Sequence, residues 1–485
     1  MVSNRSKEAG PPCTRSGSAC VIGAGPNGLA AAIVLAQAGL SVDVYEAQPE
    51  PGGGARTMEL TLPGFLHDFG SAVHPLAIGS PFFSSLPLGE RGLHWIHSPA
   101  PLAHPLDDGT AVMLERDLGN AVSELGADGT AWRGLFGPFA RHWSELTEDA
   151  LRPVSILPRH PSLLARFGLD AIQSAQSLAN RTFRTERCKA LFAGIAAHSV
   201  LALDEPFSAA AALLLGAAAH AVGWPIPHGG AQSITRALCA YLSTFQAKVR
   251  ISEPVKLLSE LPKYDLTFCD LTPRQFLPIA GSRLSQQFSR RLETYRYGPG
   301  VFKVDYALSS PIPWRAAECL RAATVHVGGS MEEIAASEHA MRHGRPPEKP
   351  FVLVTQPSLF DSSRAPEGKH TAWAYCHVPN GSDCDMLERI ENQFERFAPG
   401  FGGCVLARRI LRPADLEAMD ANLVGGDIAG GASDMRQMLF RPTWRQYATS
   451  APDIYLCAAS TPPGGGVHGM CGFNAANLAL SRFRT

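Results

Sequence analysis

The stretch that most constrains the fold is residues 20–47, in which two apolar runs flank a glycine-rich turn and an alanine-rich segment. Residues 19–22 and 41–45 predict buried strands, and residues 29–38 between them predict a helix. Residues 23–28, at the start of that helix, match the pattern G-x-G-x-x-G. The order of these features predicts a strand–helix–strand unit of the dinucleotide-binding type.

The glycines of this turn have different roles. Gly23 allows the sharp turn out of the strand, Gly25 lets the backbone approach a pyrophosphate, and Gly28 lets the helix pack against the sheet. The pyrophosphate would lie at the positive end of the helix. Glu46 can accept hydrogen bonds from ribose hydroxyls and would repel a 2′-phosphate, which argues against NADP. The alternative is a purely structural turn. The cofactor contacts predicted here are Gly23, Gly25, Pro26, Asn27, Gly28, Glu46 and Ala47.

A second glycine-rich turn follows at once, over residues 51–57. Such a turn is often an ordinary loop, but with its nearby Arg it resembles the Gly-Gly turn that runs beside the FAD pyrophosphate in flavoproteins of the glutathione-reductase-like architecture. Directly behind a dinucleotide unit, this resemblance favours FAD over NAD. We expect the Arg56 guanidinium to offset phosphate charge. The cofactor contacts predicted here are Gly53, Gly54, Ala55, Arg56 and Thr57.

The strand–loop–helix pattern recurs at the C-terminal end. Residues 454–459 predict a strand, residues 460–472 form a loop rich in glycine and proline, and residues 474–483 predict a helix. A second helix N-terminus suits the flavin pyrimidine edge, which gains negative charge on reduction. The cofactor contacts predicted here are Gly465, Val467, His468, Gly469 and Met470.

Composition excludes several other classes of function. A chain of 485 residues predicts two or more domains, and a net charge of −1 with scattered basic residues argues against a nucleic-acid partner. The eleven cysteines form no C-x-x-C pair and the sixteen histidines no H-E-x-x-H motif, so we expect reduced cysteines and no metal. Residues 1–18 predict a disordered tail, and the apolar residues 207–222 are too short for a membrane span and predict a buried helix.

The remaining segments predict a mixed architecture. Residues 117–222 are helical in pattern, which suits either a cap over a substrate or simply a helical core. Strands returning to the nucleotide fold are predicted at 248–251, 255–258 and 264–270. An α+β region follows, with strands predicted at 301–308, 322–327, 351–355 and 371–378 and helices at 331–342 and 383–398.

These motifs resemble those of the FAD-dependent phytoene desaturase (phytoene dehydrogenase-like) oxidoreductases, within the wider amine-oxidase-like flavoprotein group. The resemblance runs from about residue 19 to the C-terminus. It rests on residues 21–28, Glu46, 51–57, 64–74, 223–232, 425–428, 441–442 and 455–474.

The resemblance implies an α/β fold with a glutathione-reductase-like (Rossmann-type) FAD-binding domain, an inserted α+β substrate domain and a helical cap. The FAD-binding domain would be discontinuous, over residues 19–100, 223–295 and 421–485, and residues 101–222 and 296–420 would form the substrate and cap domain. Val255 lies where such flavoproteins contact the adenine with backbone groups.

The resemblance also implies a reaction. An FAD-dependent dehydrogenase or desaturase would remove a hydride and a proton from an apolar, isoprenoid or polyene-like substrate. Candidate proton acceptors are His74, which is preferred, then Asp68 and His468, with His67 and His228 behind them. Each also has a structural interpretation, such as a satisfied turn at the end of a strand for residues 64–74. The alternatives are an amine oxidase-like enzyme, a redox-neutral polyene isomerase and a non-catalytic FAD-bound scaffold.

The expected partners are a small apolar substrate and an electron acceptor, which is oxygen, a quinone or another acceptor. We expect a cytoplasmic monomer or homodimer, with peripheral membrane contact compatible with an apolar substrate.

Overall fold

The computed structural model describes residues 17–153 and 156–483. The strands in this part of the chain are β1 (Ser18–Ile22), β2 (Ser41–Tyr45), β3 (Thr57–Glu59), β4 (Leu66–Asp68), β5 (Trp95–Ile96), β6 (Ala100–Pro105), β7 (Ala111–Leu114), β8 (Ile226–Pro227), β9 (Lys248–Arg250), β10 (Leu266–Cys269), β11 (Gly300–Leu308), β12 (Ala322–Val327), β13 (Val352–Thr355), β14 (His370–Val378), β15 (Val405–Leu411) and β16 (Ile454–Leu456).

The α-helices in the same residues are α1 (Pro26–Gln37), α2 (Pro75–Ile78), α3 (Pro81–Ser84), α4 (Leu118–Leu125), α5 (Gly129–Arg141), α6 (Trp143–Ala150), α7 (Pro161–Ala171), α8 (Ala175–Thr182), α9 (Glu186–Ala196), α10 (Ser208–Ala221), α11 (Gln232–Ser243), α12 (Pro273–Ala280), α13 (Gln286–Glu293), α14 (Met331–Arg342), α15 (Leu387–Phe397), α16 (Phe401–Cys404), α17 (Pro413–Met419), α18 (Met435–Phe440) and α19 (Met470–Phe483).

A parallel sheet in the order β16-β10-β1-β2-β9 forms the first layer of the fold. Its strands come from the beginning, the middle and the end of the chain, and β1 is apolar because both faces of the sheet are covered. Helices α1 and α19 pack tightly on one side, since a Cβ at Gly472 would overlap the carbonyl oxygen of Asn27. The predicted strand–helix–strand unit is confirmed, and β1, α1 and β2 follow one another as expected.

Some predicted boundaries need correction. The strand predicted at 255–258 is wrong: β9 ends at Arg250 and is the edge of the sheet, and Pro254 has no N–H for a ladder. Helix α1 begins three residues earlier than predicted, because a proline is favourable at the first helical position. The predicted tail lies outside the described residues as far as residue 16, whereas Ser18 already belongs to β1.

A mixed seven-stranded sheet in the order β15-β11-β14-β13-β12-β6-β7 forms the second layer. Neighbouring strands are antiparallel except β6 and β12. One face packs against the helical segment α4–α10 through side chains such as Leu353 and Trp373, and the other face packs against α15. The predicted α+β region is therefore confirmed as a sheet covered on both faces.

The helical segment begins at α4 and ends at α10. Helix α10 matches the buried helix predicted at 207–222, and Ala212, Leu213 and Ala217 are fully buried. Within the described residues, none of the helices combines the length and the apolar character that a membrane crossing requires.

Candidate cofactor and substrate site

The first glycine-rich turn leaves no room for side chains. Gly23 has φ of +99°, in the left-handed region, and a Cβ added at Gly28 would overlap the Gly23 carbonyl oxygen. A Cβ at Gly25 would lie 2.9 Å from Asp270 Oδ2, which also accepts a hydrogen bond from the Gly28 N–H at 2.9 Å. The glycines therefore allow β1, α1 and Asp270 to approach one another closely.

Glu46 lies at the end of β2 beside this turn. Its Oε2 accepts a hydrogen bond from the Ala24 N–H at 2.8 Å, and its Oε1 accepts one from the Gln48 N–H at 2.9 Å. The Glu46 carbonyl accepts the Glu253 N–H, so the loop that leads to Val255 passes beside Glu46 and Ala47. These contacts fix the Glu46 carboxylate at the place where the sequence predicts ribose binding.

The second turn is a 3₁₀ helix over Gly53–Ala55. Arg56 donates from Nε to the Gly53 carbonyl at 2.9 Å and from Nη2 to the Met419 carbonyl at 2.7 Å, and its guanidinium lies 4.9 Å from the Phe69 ring centroid. Arg56 therefore clamps the turn to the residues after α17. Its charge lies beside the turn, where it can act on a phosphate through space.

The C-terminal loop is held by His468. Its Nδ1 accepts the Met470 N–H at 3.0 Å, and the ring also bonds the backbone at Gly464 and Gly465. Burial lowers the pKa of His468 to about 4, so the ring is neutral at neutral pH. A Cβ at Gly469 would lie 2.7 Å from the Phe83 ring. These contacts of His468, Gly469 and Met470 therefore stabilise the conformation of the loop.

One cavity of about 590 Å³ joins the three glycine-rich segments to the second layer of the fold. At one end it is lined by eight predicted cofactor residues, namely Gly25, Pro26, Asn27, Gly53, Gly54, Ala55, Gly465 and Val467. At the other end lie the sheet and the helical segment, with Phe207, Ala210, Ala211, Leu215, Thr324, Leu353, Thr355, Trp373 and Tyr375. The predicted residues that do not line it are Gly23, Gly28, Glu46, Ala47, Arg56, Thr57, Val255, His468, Gly469 and Met470.

His74 is the predicted proton acceptor that lines this cavity. It precedes α2, its ring bonds the Ser71 backbone, and its Nε2 has no hydrogen-bond partner among the described residues. Burial lowers the pKa of His74 to about 4, so the imidazole is neutral at neutral pH. A neutral imidazole with a free nitrogen can accept a proton.

Asp68 does not line the cavity, because its carboxylate is fully engaged elsewhere. It receives hydrogen bonds from Arg364 Nη2, Thr57 Oγ1 and the Ala231 N–H, each at 2.8 Å. Burial raises the pKa of Asp68, but Arg364 and these donors outweigh burial and hold the pKa below its usual value. Asp68 therefore ties together β3, β4 and the turn before α11.

The other two histidine candidates also lie outside the cavity lining. His67 is buried, and its Nε2 lies 2.8 Å from Thr61 Oγ1. Burial, together with Lys303 and Arg364, lowers the pKa of His67 to about 3. The side chain of His228 is 59% exposed, and its Nε2 lies 3.8 Å from Asp361 Oδ1.

A buried charged pair on the same face of the second sheet as Trp373 and Tyr375 was missed by sequence reasoning. On β11, Lys303 Nζ lies 2.5 and 2.6 Å from the two carboxylate oxygens of Asp305, and it lies 5.2 Å from the Trp373 ring centroid. The signal was the alternation of residues 301–308, which places both charges on one face of a strand. Trp373 and Tyr375, stacked with centroids 5.6 Å apart, add an aromatic wall that was also not predicted.

Comparison with known proteins finds a family model that matches part of the chain and several distant relatives. Residues 21–81 match the family described as NAD(P)-binding Rossmann-like domain. The chain is 26% identical to pyridine nucleotide-disulfide oxidoreductase domain-containing protein 2 of Mus musculus, over 95% of this chain and 93% of that protein. It is 25% identical to the phytoene dehydrogenase of Streptomyces griseus, over 92% of this chain and 91% of that protein.

Solved structures share the fold over nearly the whole chain. An oxidoreductase from Methanosarcina mazei has a TM-score of 0.64 at 17% identity, covering 96% of this chain and 100% of that one. Wild-type putrescine oxidase bound to putrescine has a TM-score of 0.59 at 16% identity, covering 97% of this chain and 100% of that one. The chain therefore has the α/β fold of these oxidases and oxidoreductases, with a Rossmann-like dinucleotide-binding unit, as predicted.

Proposed function

We propose that the chain is an FAD-dependent oxidoreductase that removes a hydride and a proton from a largely apolar substrate of isoprenoid or polyene type. The observation that carries this proposal is one shared cavity, lined at one end by three glycine-rich segments and at the other by apolar and aromatic side chains. A dinucleotide and a second, apolar molecule can therefore meet in one enclosure.

The residues present fit FAD. Gly25, Pro26 and Asn27 line the cavity at the start of α1, Glu46 bonds the backbone of the same turn, and the buried Oδ1 of Asn27 has no partner among the described residues. The C-terminal loop lines the same cavity, which favours a flavin over a nicotinamide dinucleotide as the resident cofactor. When bound, FAD supplies the hydride acceptor.

The chain's own side chains would position the substrate and take the proton. Phe207, Leu215 and Leu353 exclude water and orient an apolar chain. His74 accepts the proton at Nε2, because it is the histidine of the predicted set that lines the cavity with a free nitrogen. The electrons then leave to oxygen or a quinone. The likeness to the phytoene dehydrogenase of Streptomyces griseus supports a lipophilic substrate.

Amine oxidation is a second candidate, favoured by one observation. Enzymes of that type place aromatic side chains beside the flavin and a lysine near it, and this chain has Trp373, Tyr375 and the buried Lys303. Lys303 is already paired with Asp305, however, and does not line the cavity. We therefore rank amine oxidation second.

Anaerobic bleaching of the flavin absorbance tests the proposal. The purified protein, with FAD added where needed, is mixed without oxygen with polyene hydrocarbons, isoprenoid alcohols and aldehydes, and primary amines. Bleaching by an isoprenoid or polyene compound is expected, and the His74→Asn variant should bleach more slowly with unchanged FAD content. Bleaching by amines alone would favour the second candidate, and bound FAD that no compound reduces would contradict both.

A further inference from the structure

The cavity floor carries a row of polar side chains with no partner. Thr324 on β12 pairs with Thr355 on β13, which pairs with Trp373 on β14, so the three residues lie side by side across the sheet. All three line the cavity and are at least nine-tenths buried. Thr324 Oγ1, Thr355 Oγ1 and Trp373 Nε1 have no hydrogen-bond partner among the described residues.

Such a row is costly in an apolar enclosure. Buried hydroxyl and indole N–H groups are normally hydrogen-bonded, because leaving them unpaired forfeits their interaction with water. Side chains opposite each other on neighbouring strands are about 5 Å apart, so one ligand atom can contact two of them. Thr355, in the middle of the row, is placed to share a ligand atom with either neighbour.

The chemistry of the row limits the ligand group. Trp373 Nε1 only donates, whereas the two threonine hydroxyls donate and accept. The matching group is therefore an acceptor oxygen, either a carbonyl or a hydroxyl. An ammonium has no lone pair for Trp373.

Charged groups along the cavity lie elsewhere. Asp270 contacts the first glycine turn, Asp420 lies near Gly53, and Arg441 lies against Gly464 in the C-terminal loop. His198 also lines the cavity, with its Nε2 3.0 Å from His326 Nε2, and burial lowers its pKa to about 3. The charges nearest the row are those of Lys303, whose Nζ lies 5.2 Å from the Trp373 ring centroid, and of Asp305, the cross-strand partner of Trp373. These two charges are bonded to each other, so the row suits a neutral oxygen group better than a carboxylate.

We propose that Thr324, Thr355 and Trp373 form a recognition site for a neutral oxygen group, so that the substrate is a lipophilic alcohol, aldehyde or ketone. This inference rests on the proposed function only where it calls the bound molecule a substrate. The selectivity of the site can be measured without redox turnover. It separates this chain from enzymes whose substrates are pure hydrocarbons or amines.

Equilibrium dialysis with a matched set of C10 probes tests the site. Geraniol, geranial, geranylamine, geranate and the parent diene share one carbon skeleton and differ at one end. We expect wild-type protein to bind geraniol and geranial at least about 10-fold more tightly than the diene, the amine or the acid. Thr355→Val keeps a similar shape, and it should weaken geraniol about 3- to 10-fold while strengthening the diene.

Thr371→Val is the matched control. Thr371 lies on β14, is buried, and also has an unpaired Oγ1, but it does not line the cavity. This variant should change neither probe more than about twofold. Trp373→Phe is a second, independent test and should weaken geranial.

Two results would overturn the inference: equal binding of the diene and geraniol by wild-type protein, or equal effects of Thr355→Val and Thr371→Val. Dialysis does not depend on the flavin. A protein without FAD would contradict the proposed function, and the probe selectivity would still decide this inference.

Discussion

The buried ion pair between Asp68 and Arg364 is the contact whose loss should cost most. Arg364 Nη2 lies 2.8 Å from Asp68 Oδ2, and both side chains are fully buried. Arg364 also donates to the Leu66 carbonyl from Nε and Nη2. The pair joins β4 to the segment after β13.

Replacement of Arg364 by methionine keeps much of the side-chain volume and removes the charge. Asp68 would then keep only its bonds from Thr57 and Ala231, with its charge buried and uncompensated. Removing one partner of a buried pair typically costs about 3–5 kcal/mol. We expect that loss in the free energy of unfolding at pH 7, measured by urea and thermal unfolding.

The pH dependence of this loss has a defined sign. In the wild-type protein the lowered pKa of Asp68 stabilises the fold above pH 3.8, and this contribution is lost as the pH falls through the folded pKa. In Arg364→Met, burial acts on Asp68 with no opposing cation, so its pKa rises above the usual value. The difference in free energy of unfolding between Arg364→Met and the wild-type protein should therefore become smaller as the pH falls from 7 to 5.

Arg283→Met is the control, because Arg283 and Asp453 also form a close pair, at 2.6 Å, but are 47% and 28% exposed. Exposed pairs contribute about 0–1 kcal/mol. If Arg364→Met cost no more than Arg283→Met at pH 7, the assignment of Asp68 and Arg364 as a buried, mutually dependent pair would be refuted.

Three further predictions concern the cavity. Gly28→Ala should abolish FAD binding in a fluorescence titration, because the added Cβ would overlap the first turn. Gly134→Ala should bind FAD normally, because a Cβ at Gly134 would meet open space. Equal FAD affinities of the two variants would contradict the predicted turn. His74→Asn should lower the rate of anaerobic flavin bleaching, measured by stopped-flow absorbance, about 100-fold. The control His228→Asn, at an exposed histidine, should leave that rate unchanged. Equal rates in the two variants would show that His74 does not take the proton. Burial, with Asp420 and Glu46, raises the pKa of Asp270 to about 7, so the free energy of unfolding of cofactor-free wild-type protein should fall from pH 4 to pH 7. In urea unfolding, Asp270→Asn should remove up to about 4 kcal/mol of that loss. Parallel pH profiles of the two proteins would contradict this expectation.

Local features of the sequence predicted the first strand–helix–strand unit and its glycine-rich turn. Gly23 takes a positive φ and a Cβ at Gly28 would overlap the Gly23 carbonyl oxygen, so these two glycines meet demands within one turn. A Cβ at Gly25 would instead approach Asp270, which is distant in sequence. Four strands of the seven-stranded sheet, β11, β12, β13 and β14, were predicted for the same reason, since alternation and β-branched runs are local signals. Strand β15 was not predicted.

Contacts between distant parts of the chain could not be predicted. Asp68 and Arg364 are 296 residues apart, so nothing local marks Asp68 as a structural carboxylate rather than a catalytic one. Thr324, Thr355 and Trp373 meet only through strand register, and each alone is an ordinary strand residue. The strand predicted at 255–258 is absent because the sheet strand ends at Arg250 and Pro254 has no N–H to donate to a neighbouring strand.

Identification of the cofactor released on denaturation tests the central claim most directly. The protein is purified, denatured by heat, and the supernatant is analysed by chromatography and mass spectrometry, before and after reconstitution with FAD. The account predicts FAD at about one molecule per chain in the wild-type protein and none in Gly28→Ala. Release of NAD or NADP in its place, or failure of the wild-type protein to retain FAD after reconstitution, would contradict it.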